Sequence, residues 1–242
     1  MTITVNGIRL YYERFEGSGA DTTVLLHGWG ADTGVMRGIF NFLSARGNGV
    51  VMLDLPYFGA SEPPPESFGI YEYAGLVHAF LRQLGLERVD ILGHSFGGRI
   101  ALILAAEHGA ARRLILTDAA GVKPKRGLRY RLRVWWYKLK KRLGSRPKNA
   151  GSADYKALPD SMKPVFVRVV NTHLDRLLPK IKCPTLLIWG AQDRDTPLYM
   201  AQKMRRKIPD AGLVVLENAG HYSFLDCPYD FYTITDAFLQ RS

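Results

Sequence analysis

VDILGHSFGGRIALILAAEHG, residues 89–109, decides how the rest of the chain is read. It opens as a short apolar run suited to a strand buried in a sheet. From Gly98 it continues as a run rich in Ala, Leu and Ile that favours a helix. Between the two lies G-H-S-F-G. Gly93 and Gly97 flank the serine at a turn where a side chain would collide with neighbouring backbone, and Gly98 lets the helix lie close to the sheet. Ser95 is thereby set at the tip of a strained turn, near a helix N-terminus. The pentapeptide alone carries little weight in a glycine-rich chain; between a buried strand and a helix it marks a presented, nucleophilic hydroxyl.

Outward from this unit, strand and helix patterns alternate. TVLL (23–26), VVML (50–53), LILT (114–117), TLLIW (185–189) and LVVL (213–216) are continuous apolar runs, as strands buried on both faces of a parallel sheet require. YEYAGLVHAFLRQLG places Ala74, Val77, Phe80, Leu81 and Leu84 at helical spacing, and MAQKMRRKI and YDFYTITDAFLQ also read as helices. At the start of the chain, TITV and IRLYYERF flank Asn6-Gly7, a two-residue hairpin signal. The pattern predicts an α/β fold: a mostly parallel eight-stranded sheet with helices on both faces. The rhythm breaks once, between LILT and TLLIW. Residues 1–120 and 180–242 are therefore expected to form the core, with 121–179 inserted as a small helical cap over the sheet's carboxyl edge. SEPPPES (61–67) reads as a short stiff loop.

Four further motifs follow in order: LLHGWG (25–30), DLPYFGAS (54–61), LLIWGAQDRDTP (186–197) and ENAGHYSFLDCP (217–228). Together with the serine turn they resemble the α/β-hydrolase superfamily over nearly the whole chain. The resemblance implies an oxyanion loop at 25–30 and a D-x-P-G-x-G-x-S segment at 54–61, in which Tyr57 replaces the first glycine. It also implies a Ser–acid–His order met by Ser95, Asp193 and His221. Serine is a poor nucleophile near neutral pH, so an imidazole must take its proton, and a carboxylate must hold that imidazole in one tautomer. Asp195 and Asp118 are the competing acids; Asp118, at the end of LILT, otherwise satisfies backbone at a strand end. The resemblance assigns the oxyanion donors to the backbone N–H groups of Trp29 and Phe96. Trp135, Trp136 and Tyr222 are candidate substrate-binding residues. His27 and His94 fall inside these motifs, where structural hydrogen bonding is expected, and no metal is implied. No GxGxxG or GxxxxGK[ST] appears, so no nucleotide or other cofactor is expected.

The 242-residue chain carries a net charge of +11, unevenly spread. Residues 121–182 hold 18 bases against three acids, whereas the remainder holds 15 bases against 19 acids. RYRLRVWWYKLKKRL (129–143) contains no acid, and Leu128, Leu132, Trp135 or Trp136, Leu139 and Leu143 recur at helical spacing. This reads as an amphipathic helix whose apolar stripe packs on the core. Its basic face is either simply solvated, steers an anionic substrate or acidic carrier protein, or meets an anionic membrane surface. Pimeloyl-carrier-protein methyl esterases are similar in general plan. No RNA- or DNA-binding signature accompanies the charge, so nucleic acid is not an expected partner. Two cysteines without metal or disulfide spacing, no signal-like start and no spanning apolar run lead to a cytoplasmic expectation.

The activity expected is that of a serine hydrolase, foremost a carboxylesterase on a small or acyl-chain ester. GHSFGGR is also similar to the turn of the menaquinone-pathway lyase, so a lyase or a C–C bond hydrolase acting on an anionic substrate stays open. A non-catalytic lipid-surface or binding protein is the remaining alternative.

Overall fold

The computed structural model describes residues 1–19, 21–63, 68–125 and 153–240. Among these, eight strands form one sheet: β1 (Thr2–Val5), β2 (Ile8–Phe15), β3 (Thr22–Leu26), β4 (Gly49–Leu53), β5 (Val89–His94), β6 (Ala111–Thr117), β7 (Thr185–Gly190) and β8 (Ala211–Leu216). Their order is β1-β2-β4-β3-β5-β6-β7-β8, with β1–β2 and β2–β4 antiparallel and every other pair parallel. The opening hairpin turns on Asn6 and Gly7, at φ +48° and +81°, the left-handed pair that matches the twist of the flanking strands.

The described helices are α1 (Thr33–Ala45), α2 (Ile70–Gln83), α3 (Ser95–Ala106), α4 (Ala153–Ala157), α5 (Lys163–Asn171), α6 (Tyr199–Lys207), α7 (Ser223–Asp226) and α8 (Pro228–Leu239). Alternate residues of each central strand enter opposite cores. Val24, Leu26, Ile91, Leu114, Leu116 and Trp189 pack with residues of α2, α3 and α6. Leu25, Leu92, Ile115 and Ile188 pack with Met36, Ile39 and Leu43 of α1 and Phe231 and Leu239 of α8. Each such side chain, buried whole, contributes about 1.5–3 kcal/mol, and burial on both faces explains the unbroken apolar runs. LVVL departs from that expectation: as part of the outermost strand β8, Leu213, Val214 and Val215 are only half-buried.

The chain winds from β3 outward to β4 and then returns to place β5 on the other side of β3. This reversal opens a crevice at the carboxyl ends of β3 and β5, the usual ligand position in open α/β sheets. The loop carrying Trp29 leaves β3 there, and Ser95 follows β5 there. Between β6 and β7, Leu174 N–H donates to Gly121 O at 2.7 Å and Lys123 N–H to Asp175 Oδ2 at 2.8 Å, so the two ends of the intervening segment meet. The amphipathic stretch 128–143, with Trp135 and Trp136, lies outside the described residues, as does most of the Pro-rich loop. No described helix is long and apolar enough to cross a membrane.

Candidate active site

The serine turn is held by backbone packed against backbone. Ser95 has φ +48°, a left-handed conformation that strains any non-glycine residue. A Cβ at Gly93 would meet Gly97 O at 2.8 Å, and one at Gly97 would meet Leu26 O at 2.2 Å. At Gly98 a Cβ would stand 2.4 Å from that of Ala119, at the end of β6. Gly97 N–H donates to His27 O at 3.0 Å, tying the turn to the loop after β3.

Ser95, His221 and Asp193 come together in one hydrogen-bonded chain, although they are far apart in sequence. Ser95 Oγ lies 3.0 Å from His221 Nε2, and His221 Nδ1 lies 3.0 Å from Asp193 Oδ2. Ionised Asp193 can only accept, so Nδ1 carries the proton and Nε2 is left to accept from the serine hydroxyl. Asp193 is 5% exposed; its Oδ1 takes the amides of Asp195 and Thr196 at 2.8 and 2.9 Å, and its Oδ2 takes Thr196 Oγ1 at 2.6 Å. Burial alone would raise this carboxyl's pKa, but the bonds from His221 and Thr196 outweigh it and the net shift is downward. His221 moves the other way: burial depresses it, and the bond and charge of Asp193 more than compensate, leaving it above its ordinary value. Thr196 gave no sequence signal beyond lying three residues past the acid.

The competing acids fall elsewhere. Asp195 is exposed and gives only its amide to Asp193. Asp118 is wholly buried at φ +46°; its Oδ1 accepts from Gly190 N at 2.8 Å and its Oδ2 from Ser223 N at 3.1 Å. It joins the ends of β6 and β7 to the loop after His221, the strand-end role expected of it. Burial, set against those bonds, raises its pKa to about 6.

Both motif histidines are buried and structural. His27 Nε2 accepts from Leu55 N at 2.9 Å, which makes Nδ1 the donor to Gly28 O at 2.8 Å. His94 Nε2 donates to the backbone oxygen of His221 at 2.8 Å, anchoring the residue that contacts Ser95. Burial, with His221 beside it, drives the His94 pKa down to about 3, so the ring stays neutral. Asp193, Asp195 and His221 are the one group of three described residues offering metal-type ligand atoms within 4.8 Å of each other. The bonds above already commit the lone pairs of Asp193 and the Nδ1 of His221.

A cavity of about 560 Å³ opens over Ser95 and His221, lined also by Trp29, Phe96, Tyr222 and, from α5, Phe166 and Val169. Phe96 is the second residue of α3, where an amide has no intrahelical acceptor, and Trp29 lines the same cavity from the loop after β3. Trp29 packs edge-on to Phe96 and Phe166 with ring centres 5.2 Å apart in each case. Tyr222 stacks obliquely on His94 at 4.8 Å, so its ring both borders the cavity and buttresses the histidine loop. Arg99, the base after the double glycine in the turn that resembles the menaquinone-pathway lyase, also lines this cavity. A second depression, of about 630 Å³, lies at the amino-terminal edge of the sheet beside Arg112, Arg113 and Asp21. It brings no nucleophile and base together, and its arginines are paired with Asp90 and Asp21.

A sheet of this topology with a serine turn at its switch point defines the α/β-hydrolase architecture. Residues 23–233 match the family model described as "Alpha/beta hydrolase family", and the chain belongs to that family. It is 26% identical to the uncharacterised hydrolase YugF of Bacillus subtilis strain 168, over 90% of this chain and 89% of that one. It is 27% identical to a 2-hydroxy-6-oxononadienedioate/2-hydroxy-6-oxononatrienedioate hydrolase of Pseudomonas putida, over 97% of this chain and 92% of that one. An esterase from Exiguobacterium antarcticum superposes with a TM-score of 0.80 at 25% identity, covering 99% of each chain.

Proposed function

We propose that the protein is a serine hydrolase of carboxylic esters, with Ser95 as nucleophile, His221 as general base and acid, and Asp193 as the group that orients and charges it. The observation that carries this reading is the unbroken Ser95–His221–Asp193 chain, with both links at 3.0 Å, opening into one cavity. Ser95 Oγ attacks the ester carbonyl carbon while its proton passes to His221 Nε2. The carbonyl oxygen becomes an oxyanion facing the amides of Trp29 and Phe96, each such donor lowering the barrier by about 3 kcal/mol. Collapse expels the alkoxide, which takes the proton from His221, and leaves an acyl-Ser95. Water then repeats the sequence and frees the acid. The similarity to an esterase over the full chain supports this assignment.

The likeness to a hydrolase of oxo-dienedioates favours a second reading, hydrolysis of a C–C bond beside a ketone, with the same three residues. The test is turnover of p-nitrophenyl esters from acetyl to decanoyl by wild type and Ser95→Ala. We expect activity with a chain-length optimum and a loss of at least about 10⁴-fold in the variant. A folded wild type inert toward the whole series would remove the esterase reading and bring the C–C hydrolase forward.

A further inference from the structure

Arg99 follows Ser95 by four residues on α3, and both side chains line the same cavity. It is 8% exposed, yet among the described residues the guanidinium has one hydrogen bond, Nη1 donating to Thr172 O at 2.6 Å. A guanidinium carries five N–H donors and a full charge. Thr172 ends α5, and a helix terminus offers only about half a negative charge. Among the described residues no carboxylate pairs with Arg99, and burial lowers its pKa to about 10. The one carboxylate among the described residues lining the cavity is Asp195, exposed beside His221. Arginine elsewhere in the fold behaves differently; Arg112 and Arg113 both meet Asp90. Burying a cation without a counter-ion is costly, and proteins keep such a group where something else completes it.

We infer that Arg99 is a specificity-determining residue that receives a carboxylate of the substrate, so the preferred ester is the half-ester of a dicarboxylic acid. The inference rests on the ester-hydrolase reading and deepens it. A planar fork matches a carboxylate with two parallel charge-assisted bonds. Neutral esters of equal length leave the charge uncompensated and are poorer substrates.

The test pairs mono-p-nitrophenyl succinate, glutarate and adipate with their methyl-capped, neutral counterparts. We expect wild-type kcat/KM to favour at least one half-ester over its capped partner by about 30-fold or more. In Arg99→Gln that ratio should fall close to one, and in Arg99→Lys to an intermediate value. A ratio near one in wild type overturns the inference while leaving the esterase intact. So does an Arg99→Gln variant that slows both members of a pair equally, since the residue then only holds Thr172. Calorimetric titration of Ser95→Ala with the same pairs reads binding without chemistry. A half-ester preference there, abolished by adding Arg99→Gln, upholds the carboxylate site even if wild type hydrolyses neither series. Equal binding of the two members refutes it.

Discussion

At Tyr57 the chain holds an aromatic residue at φ +77°, in the segment where the family pattern has glycine. The left-handed conformation costs a non-glycine residue about 1–2 kcal/mol, while its half-buried ring packs against the core. Glycine would remove the strain and lose the packing; alanine would lose the packing and keep the strain. Tyr57→Ala should therefore be less stable than Tyr57→Gly by about 1 kcal/mol, read from urea denaturation, and the opposite order would remove the strain argument. His221 supplies a second residue-scale prediction. Its neutral form must accept the serine proton and its pKa is raised, so kcat/KM should climb with pH on a limb centred above the ordinary 6.5. Asp193→Asn should lower kcat by about 10³–10⁴-fold by presenting the wrong tautomer, and a loss under tenfold would free Asp193 from that role.

Elements meet around the serine turn with no space to spare, and two positions test this differently. Gly97→Ala drives a methyl to 2.2 Å from Leu26 O, and backbone on both sides cannot yield. A loss of at least about 3 kcal/mol is expected; full retention of stability would mean that the turn relaxes. Asp118 joins three elements as a buried carboxylate whose folded pKa, about 6, exceeds its unfolded value near 3.8. The folded state therefore binds the proton more tightly, and this group's contribution is fully present below about pH 4 and is lost as pH rises through 6. In Asp118→Asn that loss is absent, so the variant's stability relative to wild type should rise by up to about 3 kcal/mol between pH 4 and 7. A flat difference would place the ionisation elsewhere. The short strand–turn–helix unit was legible because local rules made it: apolar runs, glycines and one helix start. Helix α1 escaped notice although Asp32 caps its start by accepting from Gly34 N, because Gly34 and Gly38 within it weaken its helical pattern.

At the scale of the whole molecule, the excess positive charge lies between β6 and β7, the segment whose ends meet beside the cavity. We propose that a charge of that sign draws an anionic substrate in, an effect that salt would screen. Raising ionic strength from about 0.02 to 0.5 M should lower kcat/KM for a half-ester anion several-fold while leaving its methyl-capped partner nearly unchanged. An identical salt response for both would confine charge selection to the interior.

The sequence by itself determined the sheet and its two cores, because strand periodicity and apolar runs are short-range consequences of burial on both faces. The candidates Ser95, Asp193 and His221 and their order followed from the resemblance of strand-end motifs to the α/β-hydrolase pattern. Only the tertiary structure decided which acid meets the imidazole. Asp118, Asp193 and Asp195 all stand at strand ends, and the choice depends on where β6, β7 and the His221 loop converge. It alone also set Arg99 into the cavity, because the missing counter-charge is a property of everything that packs around a side chain, and no single stretch of sequence contains that information.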